Sequence, residues 1–157
     1  MSPIVHYEGH FSCAHALWDY EGKCARLHGH NWEVTIEVAT DNLNSCGMVV
    51  DFNMLKKLLE KFDHKMLYND DFAEHKDGWV HLTGPSFSLK VKEEYAVGFR
   101  GNPTAEIIAR NILTILIATI PNVSSAVVFV RESGHSEART EWIRPPEVCH
   151  ADADAIV

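Results

Sequence analysis

The sequence predicts an α+β fold built on an antiparallel sheet. Three observations carry that expectation. Residues 30–39, HNWEVTIEVA, alternate apolar and polar side chains as a half-buried strand does. Two segments, DFNMLKKLLEKF and the stretch after Pro103, carry apolar residues at helical spacing. The closing segment SAVVFVRESGHSEARTEWI reads as two strands folded about a turn at Gly134. Strands, then helix, helix and strands again is an α+β order rather than a series of βαβ units.

Taken in order, residues 3–13 form the first strand, with imperfect alternation. In residues 30–39, Trp32, Val34, Ile36 and Val38 share one face, and Asn31, Glu33, Thr35 and Glu37 the other. DNLNSCG is a turn-rich connection, and MVVDF gives a short third strand. Asp51 then caps a helix whose stripe is Phe52, Leu55, Leu58, Leu59 and Phe62. For the second helix, Asn102 is the expected cap, Pro103 suits the first helical position, and Pro121 stops it. Its later half, ILTILIATI, is apolar nearly all round, which implies burial on more than one side, as at a subunit contact. Residues 70–101 mix glycines, a proline and charges, and read as a long loop or an inserted excursion. The tail from about 145, PPEVCHADADAIV, reads as irregular. The expectation is one domain over residues 1–157.

Composition narrows the function. The chain is 46% hydrophobic and 23% charged, ordinary for a soluble globular protein. No stretch is long and apolar enough for a transmembrane helix, and MSPIVHYEGH does not read as a signal peptide. A net charge of -8 argues against nucleic acid or an anionic membrane as partner. The scattered cysteines 13, 24, 46 and 149 read as reduced thiols in the cytoplasm.

The 10 histidines direct attention to metal binding. His28 and His30 in CARLHGHNW are two apart, so on a strand both imidazoles face the same way. They share parity with Trp32, where the buried face begins. His15, in FSCAHAL, is the candidate third ligand. Three neutral histidines leave the fourth position of a tetrahedral zinc open, as in catalytic sites. With Cys24 as fourth ligand the site would be closed and structural. For His6, His10, His75, His81, His135 and His150 a surface or satisfied core role is the better reading.

FSCAHAL, CARLHGHNW, GMVVDFNMLKKLL, FDHKMLYND, NPTAEIIAR and VFVRES occur in that order. This series resembles the 6-pyruvoyltetrahydropterin synthase family, which includes the bacterial 6-carboxytetrahydropterin synthases. The resemblance covers roughly residues 3–69 and 102–142. It implies the tunnelling fold, an antiparallel sheet with two helices on one side. It also implies homo-oligomers, trimers around a barrel often paired into hexamers, with active sites between subunits. It implies Zn2+ held by His15, His28 and His30, and Cys24 as the catalytic thiol. Asp63 and His64 would be its acid–base partners across a subunit interface, and Glu132 the carboxylate that anchors a pterin. The implied substrate is 7,8-dihydroneopterin triphosphate.

Each residue also has a plainer explanation. Cys24 can be an inert thiol, and His64 can sit in the last turn of the first helix, favoured by its dipole. There, adjacent Asp63 would not meet His64, since neighbours on a helix do not face each other. Glu132 can pair with a cross-strand cation. Thr104 and Glu106 can contact the pterin or simply cap the second helix. Lys23, Arg26 and Lys65 are candidates for the triphosphate.

The spacing of C-x-x-x-H-G-H resembles the 6-carboxy enzymes of the queuosine pathway more than the pyruvoyl enzymes, which carry a longer spacer. A zinc-stabilised binding module without catalysis is the third reading.

Overall fold

The computed structural model describes residues 3–145. In chain order its elements are β1 (Ile4–His15), β2 (His28–Thr40), α1 (Phe52–Glu60), β3 (Lys65–Asn69), β4 (Ala73–Lys76), β5 (Trp79–Gly84) and β6 (Phe87–Lys92). β7 (Ala96–Phe99), α2 (Ala105–Thr119), β8 (Val123–Ser133) and β9 (Ser136–Ile143) follow. The fold is α+β, with two helices on one face of a curled sheet. The sheet has six strands in the order β7-β3-β1-β2-β8-β9.

The antiparallel part is the long one. β1 pairs with β2 from Ile4↔Ala39 to His15↔His28, β8 lies antiparallel on the other side of β2, and β9 returns as a hairpin. β3 and β7 are a correction to an all-antiparallel sheet. Both are short and run parallel to their neighbours, β3 beside β1 and β7 beside β3. The chain reaches each of them by a crossover, which is how parallel neighbours are joined.

The alternation seen in β2 becomes a core face. Trp32, Val34, Ile36 and Val38 are buried against Leu55, Leu58 and Leu59 of α1 and Ile108, Ile112 and Leu116 of α2. Burying such a side chain contributes about 1.5–3 kcal/mol, so this layer sets how the strand ends are held. The excess apolar residues of α2 are used inside the chain. Ile107, Ile115 and Ile117 pack on the same core, while Arg110, Thr114 and Ala118 stay exposed. No subunit contact is needed to explain them.

Three local expectations change. MVVDF forms no strand; Val49 and Val50 are buried in a bend that leads into α1. The Asn44 side chain shapes the turn before it by accepting from the Cys46 and Met48 N–H groups. Phe52 leaves the stripe: it is 55% exposed and stacks on Tyr7. Asp51 caps α1 as expected, accepting from Asn53 N–H at 2.8 Å. Thr104, not Asn102, is the cap of α2.

Residues 70–101 are not a long loop. β4, β5 and β6 form a separate antiparallel sheet of three strands, and β7 joins the main sheet. A second core fills the space beneath, with Trp18, Met66, Tyr68, Val80 and Leu82 buried. The expected irregular tail lies outside the described residues from 146 onward.

Candidate metal centre

His15 ends β1 and His28 begins β2, directly opposite one another in the ladder. His30 follows on the same face by the two-residue repeat. Gly29 between them has a steric reason. A Cβ there would stand 2.9 Å from the Cys13 carbonyl oxygen, so a larger residue would push the two strands apart where the ligands converge. Glu132 arrives from β8. It shares parity with Val128 and Val130, so its carboxylate faces the same side.

The four side chains form one group, with a ligand atom from each of His15, His28, His30 and Glu132 all within 4.8 Å of one another. The Nε2 atoms of His15 and His28 are 3.1 Å apart. Glu132 Oε1 lies 3.1 Å from His30 Nε2 and 3.6 Å from His15 Nε2. His30 Nε2 is buried and has no well-directed hydrogen bond, despite that near carboxylate.

Two of the rings are oriented by backbone. His15 Nδ1 donates to the Pro103 carbonyl at 2.9 Å, and His28 Nδ1 donates to the Arg26 carbonyl at 2.6 Å. A neutral imidazole that donates through Nδ1 carries its lone pair on Nε2. The His15 and His28 lone pairs therefore face each other and repel, unless a cation lies between them. Two nitrogens bound tetrahedrally at about 2.0–2.1 Å would stand roughly 3.3 Å apart, close to the spacing here. The donor set fits a divalent metal.

Electrostatics favours neutral rings. Burial lowers the His15 pKa from 6.5 to about 4, and the neighbouring His28 and His30 push the same way. Burial lowers His30 too, against the raising effect of Glu132. The sign follows by linkage. Between the two His15 values the unfolded chain takes up a proton that the folded chain rejects, so stability is present above 6.5 and is lost as pH falls towards 4. The loss in metal-free protein should approach about 3 kcal/mol at most. Urea unfolding of metal-free protein across this range checks it, and His15→Gln should flatten that part of the profile. A profile unchanged by His15→Gln would refute the assignment.

The thiol of Cys24 is not part of this group. Cys24 lies in a short 3₁₀ turn, Lys23–Ala25, with its carbonyl accepting from Leu17 N–H at 2.9 Å. That bond ties the turn to the segment just after His15. Cys24 is a half-buried free thiol, and the four-residue group contains no cysteine. Cys13 is different: burial pushes its thiol up to about 12. Cys46 is also unpaired, and Cys149 lies outside the described residues.

Asp63 and His64 correct the helical reading. The helix ends before them, and His64 takes a left-handed conformation with φ 55. That turn lets the neighbours meet, with His64 Nδ1 2.8 Å from Asp63 Oδ2. Asp63 Oδ1 also accepts from Ser12 N–H at 2.8 Å, and this bond is the main reason its pKa is lowered. The His64 ring is 82% exposed and lies outside the histidine group. His30 and His64 nevertheless border one open cleft of about 590 Å3, together with Ser12, Gly29, Lys65 and Tyr95.

Residues 4–142 match the model of the family described as 6-pyruvoyl tetrahydropterin synthase. The chain belongs to that family. A Bacillus subtilis relative named 6-carboxy-5,6,7,8-tetrahydropterin synthase is 32% identical over 131 residues, covering 79% of this chain and 75% of its own. A Pyrococcus abyssi relative, given the same name provisionally, is 35% identical over 107 residues, covering 67% and 68%. Among solved structures, a 6-pyruvoyltetrahydropterin synthase from Plasmodium vivax, a catalytic residue mutant, superposes with a TM-score of 0.70. It is 23% identical and covers 92% of this chain and 99% of that one. This last likeness concerns the fold.

The remaining candidates of this family member have visible local roles. The Thr104 hydroxyl accepts from Ile107 N–H at 3.5 Å, and Glu106 sits in the first turn of α2. A hydrogen bond from Thr104 holds the Glu106 carboxyl below its usual range. Both bonds lie at the helix end. Lys65 donates to the Glu94 carbonyl and lies over the Tyr95 ring, whereas Lys23 and Arg26 are exposed. Among the described residues no helix is long and apolar enough to cross a membrane. Sequence reasoning did not place Glu132 beside the histidines. The usable signal was its parity with Val128 and Val130.

Proposed function

We propose that this chain converts 7,8-dihydroneopterin triphosphate to 6-carboxy-5,6,7,8-tetrahydropterin, releasing acetaldehyde and triphosphate, as a zinc-dependent lyase of queuosine and 7-deazapurine biosynthesis. The observation that carries it is the convergence of three imidazole nitrogens, two of them oriented by backbone carbonyls. The names of the relatives supply the substrate class. His15, His28 and His30 would hold the metal, and an all-nitrogen set of this kind suits zinc. Zinc bound there supplies Lewis acidity to a hydroxyl of the substrate side chain and so acidifies the neighbouring C–H.

The chain's own groups do the rest. Cys24, in a turn tied by its carbonyl to Leu17 two residues after His15, takes the proton from carbon. His64, with Nδ1 held by Asp63, has Nε2 available to pass a proton. Glu132 accepts the adjacent ring N–H and amino donors of the pterin, a paired and therefore specific contact. An assembly brings His64 to a neighbour's histidine group. The outer strands β7 and β9 support such an assembly, since among the described residues each leaves one edge unpaired. Unpaired thiols at 13, 24 and 46 fit a reducing compartment such as the cytoplasm.

The spacer between Cys24 and His28 favours the 6-carboxy product over 6-pyruvoyltetrahydropterin. It sets where the thiol stands, and a displacement of about 1 Å can change a rate roughly 100-fold. Incubation of the purified protein with dihydroneopterin triphosphate should yield equal amounts of acetaldehyde and 6-carboxytetrahydropterin. Stoichiometric 6-pyruvoyltetrahydropterin without acetaldehyde would overturn that choice.

A further inference from the structure

The carbonyl that orients His15 belongs to Pro103, and the residue before it is tightly held. Asn102 Oδ1 accepts from Trp18 N–H at 2.8 Å, and Asn102 Nδ2 donates to the Trp18 carbonyl at 2.8 Å. One side-chain amide thus satisfies both backbone groups of one residue. Trp18 lies three positions beyond His15. The contacts close a ring: His15 to Pro103, Pro103 to Asn102, Asn102 to Trp18, and Trp18 back along the chain to His15.

Trp18 is in turn gripped by the small sheet. Its indole N–H donates to the Thr83 carbonyl of β5 at 2.9 Å. Its ring stacks on Phe72 at 6.1 Å and meets Phe87 of β6 edge-on at 5.9 Å. Only 3% of Trp18 is exposed. A buried indole with its N–H satisfied is a rigid anchor.

We propose that the small sheet is a brace for the metal centre. Thr83 and Phe87 hold Trp18, Trp18 holds Asn102, and Asn102 fixes the Pro103 carbonyl that sets the tautomer and aim of His15. Asn102 is a positioning residue: it reaches the ligand group only through Pro103. The proposal rests on the reading of His15 as a metal ligand. Its physical basis is that a ligating histidine depends on the acceptor of its other nitrogen, which fixes ring orientation and ligand basicity.

The test uses the full chain and Zn2+ alone as probe. In Asn102→Ala, chelator competition should show Zn2+ affinity reduced about 10- to 100-fold, the usual cost of losing an outer-shell partner. In metal-free protein, 15N shifts of the His15 ring should change from a single Nδ1–H tautomer to a mixture. Those of His28, held by Arg26, should not change. Trp18→Phe keeps a ring in the core and deletes the bond to Thr83, so it should weaken Zn2+ in the same direction. It also serves if Asn102→Ala does not fold. Parental affinity, within about twofold, together with unchanged His15 shifts in a folded variant would overturn the proposal. If the parent binds no Zn2+ but Asn102→Ala still scrambles the His15 tautomer, the metal reading fails and the positioning of His15 stands.

Discussion

Replacing His28 with alanine is expected to empty the metal site and stop turnover while leaving the fold intact. His28 is the ligand on which this test is cleanest. His15 is 1% exposed, so its truncation would also cut a hole in the core. His28 is only partly buried, and its Nε2 stands 3.1 Å from that of His15. Removing it takes away one strong donor and also one side of a lone-pair repulsion. Metal-free His28→Ala should therefore be as stable as metal-free parent, within about 1 kcal/mol. Added Zn2+ should raise the melting temperature of the parent and not of the variant, because only the parent's folded state binds it. Turnover should fall at least about 1,000-fold, roughly 4 kcal/mol in the barrier. Metal analysis and product assay on the same preparations check both parts. Full metal occupancy in the variant would remove His28 from the ligand set.

The sequence made the local part of this site legible and left the non-local part dark. His28 and His30 were readable together because strand parity is a property of two neighbouring residues. His15 was readable only as a candidate, since its place opposite His28 depends on the register of β1 against β2. For Glu132 the parity with Val128 and Val130 gave the face, but its place beside the histidines needed β8 to be set against β2, which no local pattern supplies. The contact between Asp63 and His64 was missed for a different reason. Its segment looks like the end of a helix, but a left-handed residue there turns the chain and lets Asp63 meet it. Helical neighbours diverge; neighbours across a sharp turn need not. In residues 70–101 the alternation was present, with Val80 and Leu82 on one strand and Phe87, Leu89 and Val91 on the next. Charges between them and the shortness of the strands hid it. Their burial depends on Trp18, more than 50 residues earlier in the chain.

The two thiols near the histidines lead to opposite expectations. Cys13 lies in β1 directly across from His30, but it is buried and its thiol is pushed up to about 12, so it is no base near neutral pH. Cys24 lies outside the core in a turn tied back to Leu17, free and partly accessible. If Cys24 is the base, Cys24→Ala should lower turnover by about 100- to 10,000-fold, the range that a positioned general base contributes. Its metal content and melting temperature should match the parent, because the sulfur belongs to no ligand group. Cys24→Ser should remain weak, since a hydroxyl gives up its proton far less readily than a thiol and is not the anion the step needs. Cys13→Ala should show the reverse pattern, losing some stability and keeping most of its turnover. Metal content read beside turnover decides among the outcomes. Loss of zinc from Cys24→Ala would make the thiol a fourth ligand, close the site and favour a structural metal. Parental turnover with zinc retained would move the proton abstraction to another group, with His64, which borders the cleft beside His30, the first to test.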